Sequence, residues 1–435
     1  MNAYFEIAYA AVTHRLCLFT GTGFSKAVTN NVAPGWQQLL EMACDRLPNG
    51  VAIKAALFPA GGVNPLTLEE AAQVIDLELT KSLKTSIHEV IAADIGALTP
   101  AGDNSVIADF LQKNPLRIIT TNYDKLVETL VGPDTCQSIS PGFPIPRAGA
   151  KTKVYHVHGS IDSPKNMVVS SDDYFKFMLG ESYFSRKLST ALHENTVVIL
   201  GYSLADTNLK TILSDYKGFS RTHAIGGNLF LVSRNKVNQH VKDYYAHCYG
   251  IRVLDNLEVK DFFLQVNARM TDAAKYSGTA SQNINKVLFQ GHHYKDEYLK
   301  VESSFYEIVA SVAGIGRSIN DPLVVAALDK IIQSKIQFTS ENGAWGQYEQ
   351  LAKWLCYLGT ILELPGTSVE KTFLAAVTQS MNSMSKTRLL GYSWHAYGAW
   401  NSSWSDLLAP NRAVIRQHVE ANCWRPDAIE LVSQG

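Results

Sequence analysis

The sequence predicts an α/β protein, a doubly wound and mainly parallel sheet over residues 1–270, followed by an all-helical C-terminal domain over 287–435. Three observations carry this. Short β-branched runs alternate with helical patterns through the first 255 residues, the arrangement of strand–helix–strand units. Those runs are apolar on both faces, as strands covered on both sides must be. Beyond residue 286 helical periodicity continues with no comparable strand run.

In chain order the strand candidates are RLCLF (15–19), LRIIT (116–120), KVYHV (153–157), TVVIL (196–200), NLFLV (228–232) and IRVL (251–254). Crossover helices are expected at 35–47, 66–95, 104–112 and 236–248, where apolar residues recur at helical spacing. The stretch 271–286, TDAAKYSGTASQNINK, is small and polar and reads as a linker. After it, 298–312, 322–336 and 346–362 carry helical patterns. The tryptophans at 345, 354, 394, 400, 404 and 424 read as core residues of that second domain, with a partner or self-assembly surface as the alternative.

Composition narrows the function classes. With 435 residues, 46% of them apolar, the chain has material for two or three units. A formal charge of −1 gives no global attraction to nucleic acid. Its six cysteines are scattered with no Cys-x-x-Cys pair, and the N-terminus has no secretory pattern, which together predict a cytoplasmic protein without structural zinc. No apolar run approaches the roughly 18 to 20 residues that cross a bilayer, so no membrane role is expected.

The chemically suggestive residues cluster at or just past the C-terminal ends of the expected strands, where an open α/β sheet exposes its ligand crevice. After the first strand come Gly21, Thr22, Gly23 and Ser25; after the second, Thr121, Asn122 and Asp124 within TTNYD; after the third, His158 within HVHGS; after the fourth, Gly201, Ser203 and Asp206 within GYSLAD; after the fifth, Asn235. A glycine-rich turn between strand and helix suits a phosphate, because backbone N–H groups and the helix dipole both favour an anion there. Taken singly each cluster is weak: a lone G-x-G is commonly a turn, and Asp124 or Asp206 also suits a helix cap. His156, two residues before His158, is read as pointing to the opposite face and serving structure. Together they predict a nucleotide site.

FTGTGFS resembles the Thr-Gly-Ala-Gly-x-Ser loop of sirtuins, TTNYD their Thr-Gln-Asn-x-Asp motif, and HVHG their catalytic His-Gly, in the same order and at similar spacing. The resemblance covers about residues 12–255 and says nothing of the helical part. It implies a Rossmann-like sheet. The chain departs from protein-deacylating sirtuins in lacking their zinc pairs, in reading VAPGWQQLL (32–40) after the glycine loop, and in carrying MVVSSDDYFKFM (167–178) after the histidine; Thr22 replaces the usual Ala. These features look like the prokaryotic sirtuin-like branch used in anti-phage defence, whose members mostly hydrolyse NAD.

The resemblance implies NAD as substrate, with no metal. The glycine turn would hold the pyrophosphate, helped by Ser25. Asn122 would orient the nicotinamide ribose and an attacking water, Asp124 would hold the nicotinamide end or its neighbouring loop, and His158 would act as general base, a task its near-neutral intrinsic pKa suits. Ser203, Asp206 and Asn235 would lie toward the ribose and adenosine side. Because NAD depletion is toxic, gating is expected, through self-oligomerisation or a separately encoded partner such as a translocase ATPase, an Argonaute or a nucleotide-processing protein. Two alternatives are an NAD-dependent protein deacylase and a non-catalytic NAD or ADP-ribose binding module.

Overall fold

The computed structural model describes residues 2–145, 149–179, 183–202, 210, 213, 229–318 and 321–433. Its centre is a seven-stranded sheet of β1 (Leu16–Thr20), β2 (Arg117–Thr120), β3 (Cys136–Ile139), β4 (Thr152–His156), β5 (Thr196–Leu200), β6 (Leu229–Val232) and β7 (Ile251–Leu254). The spatial order is β3-β4-β2-β1-β5-β6-β7, and every neighbouring pair is parallel. Parallel strands need helical crossovers, which cover both faces and make the inner strands apolar throughout. All five residues of β1 are buried accordingly.

Alternate residues of the central strands enter two cores. Leu16, Leu18, Ile118, Val154 and Val198 face helices Asn2–Val12, Ser105–Lys113 and Val259–Phe289. Cys17, Phe19, Ile119, Tyr155 and Ile199 face the opposite layer, with Ala191, Leu192 and Tyr249. β3 is missing from the sequence prediction because an edge strand of four residues, Cys-Gln-Ser-Ile, half-exposed over its first three positions, has no apolar run to betray it.

Two sequence readings are corrected. The long pattern at 66–95 is two helices, Leu68–Leu83 and Ile87–Ile95. Lys84 takes a left-handed conformation (φ 56°), and Ser86 starts the second helix through a capping box with Glu89. These helices, with Trp36–Cys44 and Gly50–Leu57, form a lobe with its own core between β1 and β2; it also packs on Tyr123, Met167 and Val169. Only Ser105–Lys113, of the helices expected between those strands, packs in the sheet's own core. The second correction concerns 271–286, which is no linker but part of the continuous helix Val259–Phe289. Its small residues permit close helix packing: Ala273 and Ala280 are fully buried, and Tyr276 meets Tyr9 at a ring distance of 5.9 Å and hydrogen-bonds Ser311.

The apolar core changes hands within that helix. Ala280 still belongs to the sheet's core, while Ile284 and Leu288 belong to the helical core that runs on to Val432. Of the six tryptophans beyond residue 286, Trp354, Trp400 and Trp404 are buried there; Trp345, Trp394 and Trp424 are exposed. Among the described residues no helix is long and apolar enough to cross a membrane.

The helical core also buries a lysine. Lys335 donates to the Leu299 carbonyl (3.0 Å) and to the side-chain oxygens of Gln347 (2.7 Å) and Gln350 (2.5 Å), and it lies 4.2 Å from the Trp354 ring centre. Burial pushes its pKa down to about 7. The unfolded chain therefore binds more protons between about pH 7 and the ordinary lysine value near 10, so stability rises with pH across that window. Urea midpoints of wild type and Lys335→Met at the two ends of the window should show this rise in the wild type and a flatter response in the variant.

Candidate functional site

Four strands end on one rung of the sheet. Thr20 of β1 pairs with Leu200 of β5 and Thr120 of β2, and Thr120 pairs with His156 of β4. The chain reverses direction in order between β2 and β5, which flank β1, so the crevice of this open sheet lies at the carboxyl end of β1. Asn122 and His158 each lie two residues past the paired Thr120 and His156, and the loops they begin stay bonded, Ile161 N–H to the Tyr123 carbonyl (3.0 Å).

The Gly21–Gly23 turn shows what its glycines do. The Gly21 N–H donates to the Leu200 carbonyl (3.0 Å) and the Gly23 N–H to the Gly201 carbonyl (2.7 Å). This corrects the expectation that these two amides point at a pyrophosphate: both are committed to the end of β5. A Cβ on Gly21 would meet Gly201 O at 2.8 Å, one on Gly23 would meet Gly201 Cα at 2.7 Å, and one on Gly201 would meet Phe24 N at 2.0 Å. The glycines let the turn seat directly on the neighbouring strand exit. Thr22 then opens helix Thr22–Val28, and its N–H, at the first helical position, has no intrahelical acceptor.

Ser25 joins the first two motifs. Its hydroxyl donates to Asp124 Oδ2 (2.7 Å) and accepts from Asn122 Nδ2 (2.8 Å). Because the single hydroxyl proton goes to the carboxylate, only an N–H of Asn122 can face Ser25, so the carboxamide oxygen points elsewhere. Ser25 was expected to serve the pyrophosphate; its proton is held by Asp124 instead. Asp124 Oδ1 accepts from Leu126 N–H (3.1 Å), at the start of the helix Leu126–Val131. Burial pushes the Asp124 pKa up, against the opposing hydrogen bonds from Ser25 and Leu126.

His158 is buried, with the rings of Tyr174 (5.6 Å) and Phe177 (5.4 Å) edge-on to it. Both belong to helix Ser171–Leu179, whose start is fixed by Asp173: it accepts from Ser170 N–H (2.9 Å) and lies 2.8 Å from His88 Nε2 in the inserted lobe. The sequence marked this segment only as a departure; its aromatic residues are the ones that shape the histidine's surroundings.

His156 corrects the strand argument made for it. Residues two apart in a strand share a face, and the two histidines part because β4 ends at His156 and Gly159 turns the chain with φ 85°. His156 is fully buried, its Nδ1 3.0 Å from the Asn122 carbonyl and its Nε2 2.7 Å from Glu128 Oε1. Thr121 donates its N–H to the Thr20 carbonyl (3.3 Å). Asn235 is exposed beyond β6, two strands from β1, where its carbonyl accepts from Ser233 Oγ (2.8 Å). Ser203 and Asp206 lie outside the described residues. A cavity of about 440 Å³ lies elsewhere, between β7 and the helical unit, and its ionic groups answer one another: Lys242 meets Asp255 at 3.0 Å, and Lys353 meets Glu302 at 2.8 Å.

Comparison with known proteins bears on the same region. The model of the SIR2-like domain matches residues 116–254, which include β2 to β7 and leave out the glycine turn. The chain is 32% identical over 214 residues to the NAD(+) hydrolase ThsA of Bacillus cereus (strain MSX-D12), covering 45% of this chain and 39% of that protein. It is 34% identical over 112 residues to the NAD(+) hydrolase ThsA of Enterococcus faecium, 22% of each. To defense-associated sirtuin 2 of Bacillus subtilis it is 24% identical over 163 residues, 36% of this chain and 16% of that one. The chain thus spans less than half the length of each of these curated relatives.

The close seat of the glycine turn is testable by stability. Gly201 combines φ 63° with a backbone atom 2.0 Å from any Cβ, whereas Gly61 has φ 74° and nothing within 4 Å. Gly61→Ala should cost about 1 kcal/mol from backbone strain alone. Gly201→Ala adds a backbone collision and should cost at least about 3 kcal/mol, read as a much larger fall in the melting temperature.

Proposed function

We propose that this chain is an NAD+ glycohydrolase, cleaving NAD to nicotinamide and ADP-ribose as the toxic effector of an anti-phage defence system. The observation that carries the reading is the Asn122–Ser25–Asp124 hydrogen-bonded chain at the crevice of a SIR2-like sheet, level with His158. Relatives named as NAD(+) hydrolase support the choice of reaction.

In this reading, water attacks the anomeric carbon of the nicotinamide ribose and gives up a proton, while the bond to the pyridinium nitrogen breaks and nicotinamide leaves neutral. The ribose carries oxocarbenium character on the way. His158 takes the proton from water or a ribose hydroxyl. Asn122, its carboxamide oxygen turned away from Ser25, accepts from the ribose or the water and sets its approach. Asp124 acts through Ser25 as a positioning residue. The pyrophosphate is assigned to the turn at Gly21, Thr22 and Gly23, with the Thr22 N–H as donor, the ribose side to Asp206 and the adenosine half to Ser203 and Asn235, with Thr121 and Gly201 as further NAD-binding residues. The aromatic cover of Tyr174 and Phe177 and the inserted lobe keep bulk water off the sugar.

We assign gating to the helical unit, by self-association or a separately encoded defence protein, with the exposed Trp345, Trp394 and Trp424 as contact candidates. The compartment assigned is the cytoplasm.

The test is nicotinamide release from NAD by the purified chain, with and without neighbouring gene products. Loss of a positioned base costs about 10² to 10⁴ in rate, so His158→Ala should lower turnover by at least about 10²-fold, and Asn122→Ala similarly through lost positioning. Near wild-type turnover in both folded variants would overturn the assignment.

A further inference from the structure

We propose that His156 is a buried imidazolium whose ion pair with Glu128 clamps the main-chain carbonyl of Asn122 and thereby positions the Asn122 carboxamide. The catalytic consequence rests on the function proposed above; the clamp itself does not.

The argument is one of donors and acceptors. A carbonyl oxygen only accepts, so the 3.0 Å contact from Nδ1 to the Asn122 carbonyl requires a proton on Nδ1. Glu128 Oε1, at 2.7 Å from Nε2, already accepts from the Lys125 ammonium at 2.9 Å. Burial pushes the Glu128 carboxyl up, but the Lys125 ammonium in contact with it favours the ionised form, so it is a carboxylate. An ionised oxygen facing a bare ring nitrogen at 2.7 Å would leave two lone pairs in direct contact, with no room for a water between them. Nε2 therefore carries a proton too. An isolated buried cation is costly, and the carboxylate is what makes it tenable.

The pair sits within an alternating row of charge. Asp162 lies 2.6 Å from Lys125 Nζ, Lys125 meets Glu128, and Glu128 meets His156, which ends on the Asn122 carbonyl. Among the described residues, Asp124, which feels the His156 charge, and Cys136, which feels that of Glu128, are the further titratable groups facing it. Among the described residues the Asn122 peptide is held at two points: its N–H donates to Thr120 Oγ1 (3.1 Å), and its carbonyl accepts from His156 Nδ1. Rotation of this peptide would swing the carboxamide off Ser25, and misplacing a positioned group by about 1 Å can cost about 10²-fold in rate.

Two measurements test this. In chain labelled with ¹⁵N-histidine, one imidazole should carry slowly exchanging protons on both nitrogens, and that ring should vanish from the spectrum of His156→Gln. A ring at 156 with a single protonated nitrogen overturns the clamp whatever the enzyme does. In kinetics, Glu128→Gln keeps shape and an acceptor oxygen but removes the charge; it should lower kcat about 10-fold or more with little change in KM and displace the pH profile of kcat. His156→Gln should do the same, and the double variant should be no worse than either single one, since the pair acts as a unit. Folded variants with wild-type kcat and an unchanged pH profile would reduce His156 to a structural residue and overturn the positioning role. A wild-type chain that releases no nicotinamide would instead fail the proposed function, and the spectrum alone would then decide the clamp.

Discussion

Everything at the site depends on the level ending of parallel strands. In a parallel sheet all carboxyl ends point one way, and here Leu200, Thr20, Thr120 and His156 occupy one paired rung. Each following loop therefore starts at the same height, and residues far apart in the chain become neighbours with no long-range search beyond the strand pairing itself. Ser25 and Asp124, 99 positions apart, reach a 2.7 Å hydrogen bond because helix Thr22–Val28 and the loop after β2 leave adjacent strands from that rung. A register slip of one residue in β2 would turn its buried side chains to the wrong face, which makes the apolar alternation of Ile118 and Ile119 a determinant of the site as much as of the core.

The polar groups at this edge are arranged in two tiers. The upper tier consists of Asn122, which is half-buried, and Ser25 and Asp124, which are buried. Beneath it His156 is fully buried, and Glu128 and the half-buried Lys125 continue from it with alternating charge. Desolvated charges are tolerated only where each has an opposite partner in hydrogen-bond contact, and the reward is rigidity, since such a row has one low-energy arrangement. The surface salt bridges of the chain, such as Lys113 with Asp109 at 72% and 61% exposure, have no comparable influence on geometry.

The sheet was legible in the sequence because its inner strands are apolar on both sides and short; six of the seven strands stand out as runs. β3 did not, since an edge strand of mixed polarity obeys no run-length rule. The polar cluster was legible for the same reason: TTNYD and HVHG interrupt apolar runs abruptly. What the letters could not convey was the destination of each proton. Gly21 and Gly23 read as phosphate donors, yet their amides bond to β5, because only coordinates reveal that β5 lies beside β1. The two histidines do part, but not by strand alternation, which would put residues two apart on one face: β4 ends at His156 and the chain turns after it. The small, polar 271–286 stretch misled because alanine, serine and glycine mark both flexible linkers and tight helix contacts; Ala273 and Ala280 at a seven-residue interval were the available sign of the second.

That helix changes what gating can mean for this architecture. A flexible linker would let the helical unit drift, and any influence on the sheet would need a docking event. A continuous helix Val259–Phe289 instead packs at one end on helix Asn2–Val12, which precedes β1, and at the other joins the helical core through Ile284 and Leu288. A second connection exists where Arg412 of the helical unit meets Asp243 at 2.6 Å, on helix Gln239–Tyr249 between β6 and β7. Helix Ser303–Gly314 also packs on helix Asn2–Val12, so the helical unit is packed against the sheet's helices at several points, which resists the drift a flexible linker would allow. These contacts lead to β1, whose carboxyl end lies at the crevice, and to β6 and β7, which lie beyond β5, so the gating proposed for the helical unit has its shortest path through helix Asn2–Val12 and β1.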